Sequence, residues 1–295
     1  MKLLCTDLDR TLLPNGVQTE SEHARPILWH FLRSYGVALA YVSGRDINRV
    51  QAAISEYNLP EPDYIVGDVG ASIYMRDNSG WQPCREWRAQ IAKQWRGQDS
   101  SYIQRLLADV AALKLQEPDR QKLHKCSFYY DLSHDESSMR ETAQACLRKE
   151  NLSAELIFSH DPEKMLGLLD ILPGSANKRE SVFHLQRMAG LASQDVLFAG
   201  DSGNDVGAII APRPSVLVAN ADAQTQRDVL RGNAKSTQPE STYIARGGLD
   251  VVGHDALNGC YAAGIVEGLL HFRPEWNACL NDSSWIQKAL DHTDS

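Results

Sequence analysis

Asp7 and Asp9 stand two apart at the end of a short apolar run, in Lys2-Leu-Leu-Cys-Thr-Asp-Leu-Asp-Arg-Thr-Leu-Leu13. Side chains two apart on an extended chain share a face, so both carboxylates are directed at one spot. Carboxylates that close repel each other, and one keeps its proton unless a cation sits between them. The pair implies a metal, a proton-transfer pair, or both; taken alone, it is equally a strand end with ordinary loop acids. A second acidic turn, Gly200-Asp-Ser-Gly-Asn-Asp205, follows another apolar run and crowds Asp201 and Asp205 among glycines. Two single residues join them. Ser43 ends an apolar run in Ser43-Gly-Arg45, and Lys178 opens a helical segment. By themselves these are an ordinary turn and a surface lysine. Lys178 is badly placed for the helix dipole, which favours an anion as its partner.

Together the four signals fit phosphoryl transfer. Asp7 would attack phosphorus and form an aspartyl-phosphate. Asp9 would protonate the leaving oxygen, then take a proton from the hydrolytic water. Mg²⁺ prefers an octahedron of oxygen ligands, and Asp7, Asp201 and Asp205 would supply carboxylates. Ser43 would hydrogen-bond one phosphoryl oxygen and Lys178 would neutralise another. Phosphate monoesters need accelerations of up to ~10²¹, about 29 kcal/mol, whereas one general acid supplies roughly 10²–10⁴. The metal and Lys178 must therefore lower much of the barrier through preorganised charge.

The elements that must position these residues follow from periodicity. A strand over 2–6, a helix over 20–35 closed by Gly36, a strand over 37–42, a helix from Asp46 and a strand over 63–66 argue a parallel sheet with right-handed crossovers. A hairpin through Asn78-Ser-Gly80 closes this half. Residues 84–114 are largely helical, with Trp81, Trp87 and Trp95 read as cap core. A strand over 126–132, a helix over 136–150 and a strand over 154–159 complete an α+β insertion. The sheet then resumes with a helix near Lys178, strands over 196–199 and 216–218, and a helix over 222–230. Residues 232–255 read as a long loop and 257–272 as a closing helix. The expected fold class is α/β: a Rossmann-like parallel-sheet core over 1–83 and 170–272, an inserted α+β cap over 84–169, and a tail over 273–295. Ligands of open α/β sheets bind outside the carboxyl ends of the strands, where all four signals meet. His160-Asp161 and Cys126-Ser127 lack partners at defined spacing and are read as structural.

Composition narrows the classes. The chain has 295 residues, with 30 basic against 38 acidic side chains and a net charge of −8. No basic stripe is present, which excludes general nucleic-acid binding. No apolar run approaches the ~20 residues of a membrane span. Six scattered cysteines without a CxxC, one of them in the first strand, fit a reduced chain better than a disulfide framework. With no signal-peptide pattern at the N-terminus, a cytoplasmic location is expected.

Asp7-Leu-Asp-Arg-Thr11, Ser43-Gly-Arg45, Lys178 and Gly200-Asp-Ser-Gly-Asn-Asp205 resemble the four motifs of the haloacid-dehalogenase superfamily of Mg²⁺ phosphatases. The insertion after the third strand resembles that superfamily's α/β cap. More narrowly, the chain is similar to sucrose-phosphate phosphatases. The supporting stretches are Glu61-Pro-Asp-Tyr64, Val69-Gly-Ala-Ser-Ile-Tyr74, Lys125-Cys-Ser-Phe-Tyr-Tyr-Asp131, Ile157-Phe-Ser159 and Asp170-Ile-Leu-Pro173 leading to Asn177-Lys178. The resemblance implies Asp7 as nucleophile and Asp9 as acid/base, the Asp9 backbone carbonyl also binding Mg²⁺. It implies Ser43, Gly44, Arg45, Lys178 and Asn204 as substrate contacts, and Lys125 and Asp131 as sugar contacts from the cap. Lys125 and Asp131 begin and end one cap strand, and residues six apart share a face. A phosphorylated disaccharide is the implied substrate, with a sucrose-phosphate synthase as partner. Phosphatases of mannosylfructose phosphate or glucosylglycerate phosphate, a phosphosugar mutase and a non-catalytic phosphosugar-binding protein are the competing readings. Arg10 departs from the small or amide residue usual there, the segment His160–Leu169 looks longer than in short forms, and the tail has no counterpart.

Overall fold

The computed structural model describes residues 1–161 and 165–291. The chain opens with β1 (Leu3–Thr6), buried along its length, and such a strand must be apolar on both faces. α1 (Ala24–Ser34), β2 (Ala38–Val42), α2 (Ile47–Glu56) and β3 (Tyr64–Gly67) follow, and the three strands pair in parallel. α1 starts four residues later than the periodicity implied. Pro26 thus falls in its first turn, where the missing N–H has no partner to lose. β4 (Ser72–Asp77) and β5 (Gly80–Pro83) close this edge as an antiparallel hairpin.

Next come α3 (Arg85–Ala92), α4 (Ser100–Leu106), β6 (Lys114–Leu115), β7 (Cys126–Tyr130), α5 (Glu136–Lys149), β8 (Ala154–Asp161) and β9 (Leu166–Pro173). Their strands make a separate antiparallel sheet in the order β6-β7-β9-β8. The chain then returns through α6 (Lys178–Met188), β10 (Val196–Gly200), α7 (Val206–Ile209), β11 (Ser215–Leu217), α8 (Ala223–Asn233) and β12 (Thr242–Ile244). The main sheet runs β12-β11-β10-β1-β2-β3-β4-β5. β13 (Leu249–Val251), β14 (His254–Leu257), α9 (Ala262–Phe272) and α10 (Ser283–Asp291) complete the fold. β1 lies between β2 and β10, so the connections leave it on both sides. That is the switch point where an open α/β sheet has its crevice.

The segment 232–255 is not one long loop. It holds β12, β13 and the first half of β14. Each spans only three or four residues, too short for alternation to register, and a bulge interrupts the β13–β14 pairing.

The two faces of the main sheet carry separate cores. Leu4 packs with α1 and α9 on one face, while Leu3 and Cys5 pack with α6 on the other, as period-two alternation requires. The cap has its own cluster, from Trp95 and Ile103 to Leu169 and Ile171. Trp87 and Ile91 do not belong to it: with Cys84 they pack into the main-sheet core, and Trp87 Nε1 donates to Gly70 O at 2.9 Å. Trp81 packs against the opposite face. The tryptophan spacing gave a shared helix face but not the body it meets, and a left-handed Arg96 (φ 54°) turns the chain after Trp95.

All six cysteines are free. Cys5 in β1 and Cys126 at the start of β7 are wholly buried, and burial pushes each thiol up to about 12. The tail docks on α1: the Trp276 and Tyr35 rings stack with centroids 4.0 Å apart, and Trp285 lies 4.5 Å from Phe31. Among the described residues no helix is long and apolar enough to cross a membrane.

Candidate active site

The backbone N–H of Asp7 donates to Ala199 O at 2.9 Å, which carries the β1–β10 ladder one residue further and brings Asp7 to the crevice. Asn177 caps α6 by accepting from Glu180 N at 2.9 Å, and this sets Lys178 at the first helical position. Lys178 Nζ lies 2.9 Å from Asp7 Oδ1 and 2.7 Å from Asp205 Oδ1, with 1% of its side chain exposed. The second Asp205 oxygen accepts from Ser202 Oγ at 3.0 Å, Ser202 N at 3.1 Å and Asp201 N at 3.3 Å. These bonds explain Gly200, since a Cβ there would lie 2.6 Å from Asp205 Cβ. Asp201 Oδ1 accepts from Thr11 Oγ1 at 3.0 Å. Its Oδ2 is buried and accepts no hydrogen bond among the described residues; the Arg10 Nε lies 3.4 Å away.

Asp7, Asp201 and Asp205 each offer an oxygen, and these oxygens lie within 4.8 Å of one another. Three carboxylates around one ammonium leave an excess of two negative charges. Burial first, then the neighbouring acids, pushes Asp7 up to about 8 despite Lys178. Burial and Asp205 push Asp201 up to about 6. Lys178 is raised: burial opposes its charge, and Asp205 and Asp7 outweigh burial. All-oxygen ligands, excess negative charge and an orphaned buried oxygen on Asp201 are the environment a Mg²⁺ ion fits.

Other expected residues fall around this centre. Ser43 is fully buried at the end of β2, and its Oγ accepts from Arg45 N at 3.1 Å. A Cβ on Gly44 would meet only Val69 Cγ2, at 3.8 Å, so packing alone does not demand glycine there. Arg45, expected at the substrate, grips Asp9 instead, with Nη2 2.6 Å from Oδ1 and Nε 2.9 Å from Oδ2. Asn15, which the sequence did not single out, donates to Asp9 Oδ1 at 2.7 Å. Partial burial raises Asp9, but these bonds and the Arg45 charge outweigh it and hold Asp9 below the usual carboxylate range. The Asp9 carboxylate is not one of the three clustered acids. Arg10 sits at φ 60°, pinned by Asn220 Nδ2 donating to its carbonyl at 2.6 Å. Asn204 is exposed and lines a 650 Å³ cavity between core and cap with Asn177, Arg140 and Phe158.

The two cap candidates separate. Lys125 pairs with Asp170 at 3.0 Å and is 14% exposed. Cys126 pairs with Ile171 and Tyr130 with Gly167, so β7 runs away from the junction through which β9 re-enters the core. Asp131 therefore stands at the far end, roughly 20 Å from Lys125, exposed and bonded to Ser133 N. Residue spacing gave the shared face but not the strand's direction.

The turn after β3 enters the sequence reading only through the stretch Val69–Tyr74, with no role for Asp68. Asp68, Val69 and Gly70 have successive φ values of 53°, 59° and 110°. A β-branched residue at positive φ is a genuine outlier, and such strain costs of order 1–3 kcal/mol per residue. Asp68 N donates to Arg45 O at 3.0 Å and Val69 N to Ser43 O at 3.1 Å, so this turn backs the Ser43–Arg45 turn. A Cβ on Gly70 would lie 2.3 Å from Asn177 C, so the turn also abuts the start of α6.

A parallel sheet with a capped crevice holding this aspartate–lysine cluster defines a hydrolase of the haloacid-dehalogenase class. A HAD-like hydrolase of Nitrosococcus oceani is 40% identical over 94% of this chain and 73% of its own length. The sucrose-6F-phosphate phosphohydrolase family model matches residues 1–273, and the chain belongs to that family. Its members make it a phosphoric monoester hydrolase. The sucrose-phosphatase of Synechocystis, solved with sucrose and phosphate, superposes with a TM-score of 0.70 at 25% identity, covering 92% of this chain and 98% of that one. A mannosylfructose-phosphate phosphatase of Agrobacterium fabrum is 27% identical over 92% of this chain and 97% of its own.

Proposed function

We propose that the chain hydrolyses sucrose 6-phosphate to sucrose and phosphate in a Mg²⁺-dependent reaction through an aspartyl-phosphate on Asp7. The observation that carries the reading is the buried Lys178 ammonium shared by Asp7 and Asp205 beside Asp201, in a chain of the sucrose-phosphate phosphohydrolase family. Asp7, Asp201 and Asp205, with the Asp9 carbonyl, would hold the ion, which when bound neutralises charge on the phosphoryl group. Lys178 holds Asp7 in place and meets the incoming phosphoryl oxygens. Ser43 and the Gly44 N–H face the same group. Asp9, once it leaves the Arg45 and Asn15 grip and takes up a proton, would donate that proton to the leaving sugar oxygen and then, as carboxylate, remove one from the attacking water. Lys125 contributes a sugar contact from the cap end nearest the core; Asp131 drops out of that site. A cytoplasmic location and a sucrose-phosphate synthase as partner extend the same reading.

Mannosylfructose phosphate is the second substrate to test, because the Agrobacterium relative is similar over nearly its whole length. Phosphate release from sucrose 6-phosphate, mannosylfructose phosphate, glucose 6-phosphate and p-nitrophenyl phosphate, after chelation and after Mg²⁺ is restored, is the experiment. The expected result is Mg²⁺-dependent turnover with the highest kcat/KM on sucrose 6-phosphate. Lys125→Ala should lower kcat/KM on the disaccharide phosphate about 10-fold or more and spare p-nitrophenyl phosphate. Undiminished turnover after chelation, or a preference for another ester, removes the corresponding part of the reading.

A further inference from the structure

A cavity of about 200 Å³ lies where the turn after β3 faces the cap, walled by Asp46, Asp68, Ser72, Tyr74, Trp87 and Lys122. We propose, building on the function above, that this cavity seats the sugar ring remote from the phosphoryl group. In it, Asp68 selects that ring by accepting hydrogen bonds from its hydroxyls.

The volume holds on the order of a dozen waters, which is the size class of one sugar ring rather than of a disaccharide. Its position suits a second ring, since Asp68 N is bonded to Arg45 O and Val69 N to Ser43 O, which ties the cavity wall to the turn proposed to meet the phosphoryl group. Asp68 is 3% exposed. Its carboxylate accepts one hydrogen bond among the described residues, from Ser72 Oγ at 3.0 Å. An ionised carboxylate has about four lone-pair sites, and a buried one left short of donors is costly. The neighbouring lysines already have acids: Lys122 pairs with Asp46 at 3.2 Å and Lys125 with Asp170 at 3.0 Å. On the wall itself the acids Asp46 and Asp68 are balanced by Lys122 and Arg88, which favours neither a phosphate nor a cation, so the fitting occupant is a neutral polyol. Tyr74 and Trp87 supply the apolar wall that the C–H face of a sugar ring needs. The backbone is held in left-handed geometry at Asp68 and Val69, and strain of this kind persists at sites that clamp ligands.

The test is Asp68→Asn, with Asp68→Ala as the complete removal. Asparagine tolerates positive φ, so the turn keeps its course. For whichever sugar phosphate the wild type hydrolyses best, kcat/KM should fall about 10- to 100-fold, mainly through KM. Turnover of p-nitrophenyl phosphate, which has no second ring, should change by less than about 2-fold and certifies the fold. Equal losses on both esters would make Asp68 a structural residue, and no loss on either would empty the cavity of its role. A wild type that prefers a sugar phosphate other than sucrose 6-phosphate overturns the substrate assignment and leaves the Asp68 ratio to be read on the preferred ester. A wild type that cleaves p-nitrophenyl phosphate but no sugar phosphate overturns both.

Discussion

Lys178 is the one ammonium among three buried carboxylates, so replacing one acid has two effects of opposite sign. Asp7→Asn removes the nucleophile, and turnover should fall by about 10³-fold or more. It also relieves the burial of a carboxylate beside two other acids, which pushes Asp7 up to about 8, so the melting temperature in chelator should hold or rise. Phosphate release and a thermal melt, run together, check both. Arg45→Ala tests the grip on Asp9. The Asp9 carboxyl is held below its unfolded value, so the pairing stabilises the fold above the unfolded pKa near 3.9 and is lost as pH falls through the folded one. The variant should be less stable at neutral pH, with the deficit shrinking as pH falls below the unfolded value and through the folded one. Denaturant titrations at several pH values measure it, and a pH-independent deficit would mean that Arg45 matters only for packing. The acids, Ser43 and Lys178 were legible because each sits at a fixed offset from a strand end or helix start. Asn15 and the Arg45–Asp9 pair were not, because a side chain's choice among neighbouring carboxylates depends on three-dimensional reach. Asp68 was hidden for the opposite reason: an acid after a strand looks like any turn.

At the scale of elements, the turn after β3 joins three parts of the site. Its backbone bonds to the Ser43–Arg45 turn, its glycine abuts Asn177, and its carbonyl receives Trp87. Gly70→Ala must move something, because the Cβ would lie 2.3 Å from Asn177 C at a φ of 110°. The expected cost is about 1–3 kcal/mol of stability. A larger fractional loss of kcat than of folded protein is also expected, since the start of α6 carries Lys178. Urea unfolding and kinetics on the same preparation separate the two. The parallel strands and their crossovers were readable because buried runs and amphipathic helices alternate at regular spacing. β12, β13 and β14 were not, since three or four residues at a sheet edge carry no period. α3 was assigned to the cap on chain position, but an apolar stripe does not name the surface it covers.

Across the whole molecule, the main sheet is covered on one face by α1 and α9, with the tail packed against α1. Trp276 is 6% exposed and stacks on Tyr35 and Phe31. Trp276→Ala should cost about 3 kcal/mol while leaving kcat/KM unchanged, because Trp276 stacks at the C-terminal end of α1, which leads into the start of β2 opposite Leu3, at the other end of the strands from Asp7; a chemical melt and a rate assay decide it. Two of the three buried cysteines have a further use. Cys5 belongs to the main sheet and Cys126 to the cap sheet, and each thiol is shielded and held up near 12. A thiol reagent can reach either only when its own body opens. Time-resolved alkylation followed by peptide mass spectrometry thus reads two clocks in one molecule. Equal rates mean that cap and core open as a single cooperative unit. Faster labelling of Cys126 means that the cap melts alone, above a core that stays folded beneath it.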